Sequence, residues 1–234
     1  MNGARRALLV HGSGAGAWEW LRWRGVFEAA GWEVVALDLE PSRGGLAATR
    51  FADYAGQVAS ALAETGPDTV LVGASLGGTL ALAAASRLPV SALVLVSGVP
   101  HGGTPGWPRQ PARFPEVVPW STRGVAETLA GLPDADPRPL DGAPIRWRDE
   151  SGAVMRALWD GVQVSVPRIP TLALLGELDD QVPTTVGLSM ARRLHADAVR
   201  LQGVSHLGTL LGRRAEAAAR LALAWLDTAR DGEA

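Results

Sequence analysis

Short apolar runs recur along the chain at 7–10, 34–37, 69–72, 92–96, 171–175 and 198–201. Runs this short, rich in valine and leucine and not strictly alternating, are expected of strands covered on both faces. Between them, apolar residues return every three or four positions, which predicts helices at about 17–30, 51–65, 76–88, 184–194 and 213–229. Strand and helix in alternation make an α/β fold: a mostly parallel six-stranded sheet with helices on both faces.

The rhythm breaks once. After Gly98, to about Pro167, proline is frequent and only two short helical pieces are expected, near 121–131 and 151–161. At 234 residues and 47% hydrophobic content, the chain fits one domain with a substantial core. We read residues 1–234 as that domain and about 99–167 as an insertion within it. An insertion of this length in a regular fold points to a lid or binding loop.

Composition then removes several kinds of function. The net charge of −2 is spread evenly, with no basic block to meet a nucleic-acid backbone. All 22 basic residues are arginine, so lysine chemistry is excluded, and the absence of cysteine removes disulfides, thiolate nucleophiles and cysteine-held metals. The apolar run before His11 is too short for a signal-peptide core or a membrane span. A soluble, cytoplasmic protein acting on a small molecule, with no cofactor, no nucleic acid and no membrane partner, is the expectation.

The sharpest local signal is Gly73-Ala74-Ser75-Leu76-Gly77, where a buried strand gives way to a helix. G-x-S-x-G in that setting is a nucleophile elbow: glycines permit a sharp turn that lifts the serine hydroxyl above the strand's carboxyl end. A glycine-flanked serine can also be no more than a turn or a helix cap. A serine nucleophile needs a base, and only four histidines exist. His206, in a loop after the last strand, has the chain order of serine, acid, then histidine. His195 reads as a helix C-terminal residue, His11 as a brace for its own loop, and His101 as at most a substrate contact. The loop Gly176-Glu177-Leu178-Asp179-Asp180 supplies the acid, and Asp179 lies far enough past the turn to reach back to the imidazole. The competing reading is an acidic loop that caps the next helix. Backbone N–H groups of Ser13 and Leu76 would form the oxyanion hole, each worth about 3 kcal/mol by typical removal costs.

The loop after the first strand carries a rival signal. Gly12-Ser13-Gly14-Ala15-Gly16-Ala17 matches G-x-G-x-x-A, and Asp38 ends the next strand, as in a dinucleotide-binding unit. A reductase reading leaves Ser75, Asp179 and His206 unused, and with no lysine and one tyrosine, Tyr54, a tyrosine–lysine relay is unavailable.

Leu8-Leu9-Val10-His11-Gly12 with Gly16-Ala17-Trp18-Glu19-Trp20, then Ala30 to Leu39, then Gly73 to Gly78, resemble the α/β-hydrolase superfamily, closest in pattern to its methylesterase and hydroxynitrile-lyase-like branch. The resemblance covers about the first hundred residues and resumes from Pro170. It implies a sheet without the usual N-terminal hairpin, a lid between the sixth and seventh strands of the family's numbering, and a triad at Ser75, Asp179 and His206. Ala74 departs from the pattern, standing where many relatives carry histidine.

The insertion's Trp107, Trp120, Trp147 and Trp159, with Phe114, are expected to wall a substrate pocket, though each ring could equally pin the insertion to the core. Its arginines, Arg109, Arg113, Arg146 and Arg148, are expected to be solvated. Cleavage of a small, largely apolar ester, thioester or lactone through an acyl-enzyme on Ser75 is the leading expectation. A lyase or cyclase using His206 as base, and a ligand-binding receptor, are the alternatives.

Overall fold

A computed structural model describes residues 5–107, 114–130, 132–135 and 146–231. The main sheet contains β1 (Arg6–Val10), β2 (Glu33–Leu37), β3 (Thr69–Ala74) and β4 (Ala92–Val96). The insertion adds β5 (Val117–Val118) and β6 (Glu150–Ser151), and the main sheet is completed by β7 (Thr171–Gly176) and β8 (Asp197–Leu201). Main-sheet order is β2-β1-β3-β4-β7-β8, every pair parallel. All six strands fall where the hydrophobic pattern put them. The central strands β3, β4 and β7 are buried along their whole length, whereas the edge strands β2 and β8 carry Glu33, Asp197 and Arg200. Charge at exposed edges discourages pairing with another chain.

Six helices flank this sheet: α1 (Leu21–Ala29), α2 (Phe51–Thr65), α3 (Leu76–Ala85), α6 (Thr184–Leu194), α7 (Gly208–Leu211) and α8 (Ala215–Asp231), with α4 (Val125–Ala130) and α5 (Gly152–Asp160) in the insertion. Strand alternation divides the core in two. Leu8, Val10, Leu71, Leu93 and Leu95 pack against α2, α3 and α5. Leu9, Val70, Val72, Val94 and Leu172 face the other way, against α1 and α8. That second layer holds an aromatic cluster: Trp20 meets Trp23 edge-on at 5.5 Å, Trp23 stacks on Phe27 at 5.9 Å, and Phe27 meets Trp32 at 5.5 Å.

The structure refines the expected helices in two places. The region expected at 17–30 begins with a 3-10 turn, Ala17–Trp20, before α1. α7, a single turn after His206, had no periodic signal long enough to mark it. The insertion leaves the sheet after β4 and returns at β7, and β5 pairs antiparallel with β6 beside α5. Among the described residues no helix is long and apolar enough to cross a membrane.

Successive connections run to opposite sides of β1, so the loops after β1 and β3 diverge there. A crevice at the carboxyl ends of the strands is where open α/β sheets place ligands. The aromatic layer supports that end directly, because Trp23 Nε1–H donates to Thr209 O at 3.0 Å, beside the His206 loop. Trp23→Ala should lower stability by about 3–5 kcal/mol, read as a lower urea midpoint at constant slope. A change below about 1 kcal/mol would show that this layer carries little of the fold.

Candidate active site

β3 ends in a turn with almost no free space. A side chain at Gly73 would strike the backbone of Gly77, and one at Gly77 would strike the Val10 and His11 carbonyls. These glycines let β3, α3 and the loop after β1 touch backbone to backbone. Ser75 is caught between them at φ 50°, ψ −118°, a conformation L-residues avoid unless their surroundings impose it. Its N–H donates to Val96 O at 3.1 Å, and its carbonyl accepts from Gly78 N at 3.0 Å and Val99 N at 3.1 Å.

The expected acid and base meet. His206 Nδ1 lies 2.9 Å from both Asp179 carboxylate oxygens, and both residues are buried. Since a carboxylate only accepts, Nδ1 carries a proton, and in the neutral imidazole that leaves the lone pair on Nε2. Asp179 is itself fixed, its Oδ1 accepting from Gln181 N at 3.0 Å and Val182 N at 2.8 Å. The two neighbouring carboxylates have other surroundings. Asp180 is exposed, while Glu177 accepts from Gly203 N at 2.9 Å and pairs with Arg200 at 3.4 Å, bracing the His206 loop against β8.

Ser75 and His206 line one cavity of about 250 Å³, together with Gly12, Ser13 and the four expected tryptophans, Trp107, Trp120, Trp147 and Trp159. That is small beside the roughly 300–1,000 Å³ of pockets for drug-sized ligands. Trp107 stacks on Trp159 at 5.1 Å, Trp147 meets Trp18 edge-on at 5.4 Å, and Arg123 lies over Trp120 at 5.0 Å. The rings therefore both wall the cavity and pack on one another. Neither Ser13 N–H nor Leu76 N–H is hydrogen-bonded to another described group, and Leu76 opens α3, where free amides and the helix dipole favour negative charge.

The other histidines lie apart. His11 is buried, its Nδ1–H donating to Gly12 O at 2.7 Å and its Nε2 accepting from Leu39 N at 3.0 Å. Burial brings its pKa down to about 4, so it stays a neutral brace. His195 caps α6 in a left-handed conformation, and His101 is buried away from the cavity with no partner for its ring among the described groups.

The dinucleotide reading fails on the loop that suggested it. Phosphate would need free amides, but Gly12 N donates to Glu19 Oε1 at 2.7 Å, Gly14 N to Glu150 Oε2 at 3.0 Å, and Ala17 N to Asp38 Oδ1 at 2.7 Å. Three carboxyl side chains fill the cradle, and the Trp120 ring packs against Gly14.

Two of these carboxylates and one arginine were not foreseen as parts of the site. Arg148, expected to be solvated, is half-buried: its N–H donates to Gly14 O at 2.7 Å and its Nε to Ala15 O at 2.7 Å, and its guanidinium reaches His11 Nε2 at 3.1 Å. Glu150, in β6, also accepts from Tyr54 Oη at 3.0 Å, which ties the insertion to both the β1 loop and α2. Arg146 is exposed, and Arg109 and Arg113 lie outside the described residues. Glu19 is buried between Trp18 and Trp20 and lines the cavity. An acidic residue flanked by two tryptophans just after a glycine-rich loop was the available signal for it.

A family model described as "Alpha/beta hydrolase family" matches residues 7–221. Methylesterase 7 of Arabidopsis thaliana is 33% identical over 153 residues, covering 61% of this chain and 56% of that protein. The chain thus spans a little over half the length of that curated relative. Among solved structures, a pyrethroid hydrolase from Sphingobium faniae JZ-2 matches with TM-score 0.75 at 20% identity, over 97% of this chain and 99% of that one. Tomato methylketone synthase I complexed with 2-tridecanone matches with TM-score 0.75 at 18% identity, over the same shares. At such identities these two likenesses concern the fold.

Two buried groups give stability a characteristic pH dependence. Burial raises the Glu19 pKa to about 8, so from about 4.5 to 8 the unfolded chain binds fewer protons there than the folded one, and stability falls as pH rises. The lowered pKa of His11 acts oppositely between about 4 and 6.5, where the unfolded chain binds more. The two partly cancel below pH 6.5, and above that the opposing contribution of His11 is gone. Glu19→Gln should therefore gain on the wild type by up to about 1.4 kcal/mol per pH unit between pH 6.5 and 8 in urea denaturation. Parallel curves for the two proteins across that range would contradict a buried, neutral Glu19.

Proposed function

This chain belongs to the α/β-hydrolase family, and from that premise we propose that it is a serine hydrolase cleaving a small, largely apolar ester, thioester or lactone through an acyl-enzyme on Ser75. The observation that carries the reading is Ser75, held at φ 50° on a strand-to-helix turn, sharing a cavity with an imidazole whose Nδ1 faces a buried carboxylate at 2.9 Å. The methylesterase and the pyrethroid hydrolase to which the chain is similar agree with ester chemistry.

In this reading His206 Nε2 takes the proton as Ser75 Oγ attacks the substrate carbonyl carbon. Asp179 keeps Nδ1 protonated before the attack and stabilises the imidazolium after it. Negative charge gathering on the carbonyl oxygen meets the N–H groups of Ser13 and Leu76, which are free to receive it. As the C–O or C–S bond of the leaving group breaks, His206 returns the proton to it. Water, deprotonated by the same nitrogen, then attacks the acyl-serine carbon and releases the acid and Ser75. The tryptophan-walled cavity favours apolar acyl or alkoxy groups and keeps bulk water from the charged intermediate.

The purified protein should react with a fluorophosphonate probe and turn over a short p-nitrophenyl ester, and Ser75→Ala should abolish both. Asp179→Asn should retain the fold and lower kcat by about 10⁴-fold, since the amide favours the unproductive tautomer. A folded wild type that neither labels nor turns over ester would refute the hydrolase reading. Equal kcat for Asp179→Asn would remove Asp179 from it.

A further inference from the structure

Glu19 has no part in the acyl-transfer steps above, yet it lines the same cavity as Ser75 and His206. A methyl group placed on Gly12 would lie 3.3 Å from Ser75 Cβ and 3.7 Å from Glu19 Oε1, so the carboxyl and the nucleophile flank the same point. Glu19 is 3% exposed, and among the described residues its side chain makes one hydrogen bond, accepting from Gly12 N at 2.7 Å through Oε1. Oε2 is left without a protein partner in a cavity whose other walls are mostly aromatic and aliphatic. Buried polar groups are normally satisfied, and one left open beside a nucleophile has room for a partner on the ligand.

We propose that Glu19 is a specificity-determining residue that donates a hydrogen bond from its carboxylic acid to a second oxygen of the substrate, a keto, hydroxyl or ether oxygen close to the scissile carbonyl. The inference rests on the serine-hydrolase reading and narrows its substrate class from plain apolar esters to oxygenated ones. The chemistry follows from the two carboxyl oxygens. Oε1 accepts from the backbone, so the proton sits on Oε2, and a carboxylic acid held neutral in an apolar site is a hydrogen-bond donor. Burial holds the group neutral to about pH 8, against the pull of the Gly12 N–H and of the Arg148 charge. Arg123 and His206 are the other titratable groups on the cavity wall among the described residues. A neutral donor next to a hydrocarbon chain would be left unpaired, which is the basis on which such a site rejects a ligand lacking the acceptor.

The test compares binding of ethyl hexanoate and ethyl 3-oxohexanoate to the Ser75→Ala protein, followed by quenching of the cavity tryptophans. Reading binding without turnover separates this inference from the hydrolase reading: failed ester hydrolysis by the Ser75-containing protein would count against the latter, while these ratios judge Glu19. At pH 7 the 3-oxo ester should bind more tightly than the plain one. Glu19→Leu in the same background should reduce that preference about tenfold, the loss of one hydrogen bond. Glu19→Gln keeps an acceptor for Gly12 and a donor for the ligand, and should hold the preference within about threefold. Raising the pH from 7 to 9 should erode the preference in the Glu19 protein and leave it flat in Glu19→Gln. A purely structural role, support of Gly12, would shift both esters alike. An unchanged preference in Glu19→Leu overturns the proposal; where that variant does not fold, a pH-independent preference in the Glu19 protein does so.

Discussion

The site depends on one steric constraint: the backbone at Gly77 lies against the Val10 and His11 carbonyls with no room for a side chain. This contact joins the start of α3 to the end of β1. It sets the turn that carries Ser75 and Leu76 against the loop that carries Ser13, and holds the serine in its unusual conformation. The conformational cost is of order 1–3 kcal/mol, and the sheet offsets it because β3 is paired on both sides and buried throughout. A turn exposed on one side would relax, and the hydroxyl would drop away from the cavity.

Around that contact, the loop after β1 is fixed largely by hydrogen bonds from residues distant along the chain. Its amides at Gly12, Gly14 and Ala17 are each held by a carboxyl oxygen, and its carbonyls at Gly14 and Ala15 by Arg148. The amide of Ser13 is left open between two that are fastened, an arrangement in keeping with the proposed role of that amide as a donor to developing negative charge. Two of the fasteners, Arg148 and Glu150, belong to the insertion. The segment that supplies the tryptophan walls therefore also holds the loop beside Ser75, and on the far side Asp134 Oδ1 accepts from Ser205 Oγ next to His206. The insertion is part of the site's framework as well as of its walls.

Much of this was legible in the sequence, and what was legible was local. Five of the six strands announce themselves by short, largely apolar runs, β8 by one that Arg200 interrupts, and Ser75 by glycines within two residues of it. Asp179 and His206 follow from chain order and from loops at strand ends, and the structure brings them together at 2.9 Å. What escaped depends on partners distant along the chain. Nothing near Arg148 or Glu150 signals that their partners are Ala15 and Gly14, 133 and 136 residues away. A two-residue strand such as β5 and a single turn such as α7 are too short to carry a period. The G-x-G-x-x-A match misled for a related reason: the pattern records where the backbone turns, and the residues that fill the turn lie elsewhere.

The central claim is that Ser75 forms a covalent acyl intermediate. Its most direct test is intact and peptide mass spectrometry of the protein acid-quenched within milliseconds of mixing with excess p-nitrophenyl butanoate. The account predicts a butanoyl adduct on the peptide that contains Ser75, formed in step with a burst of p-nitrophenol. Turnover that persists undiminished in Ser75→Ala, with no adduct in either protein, would contradict it, and would assign the chemistry to His206 acting as a base without acyl transfer.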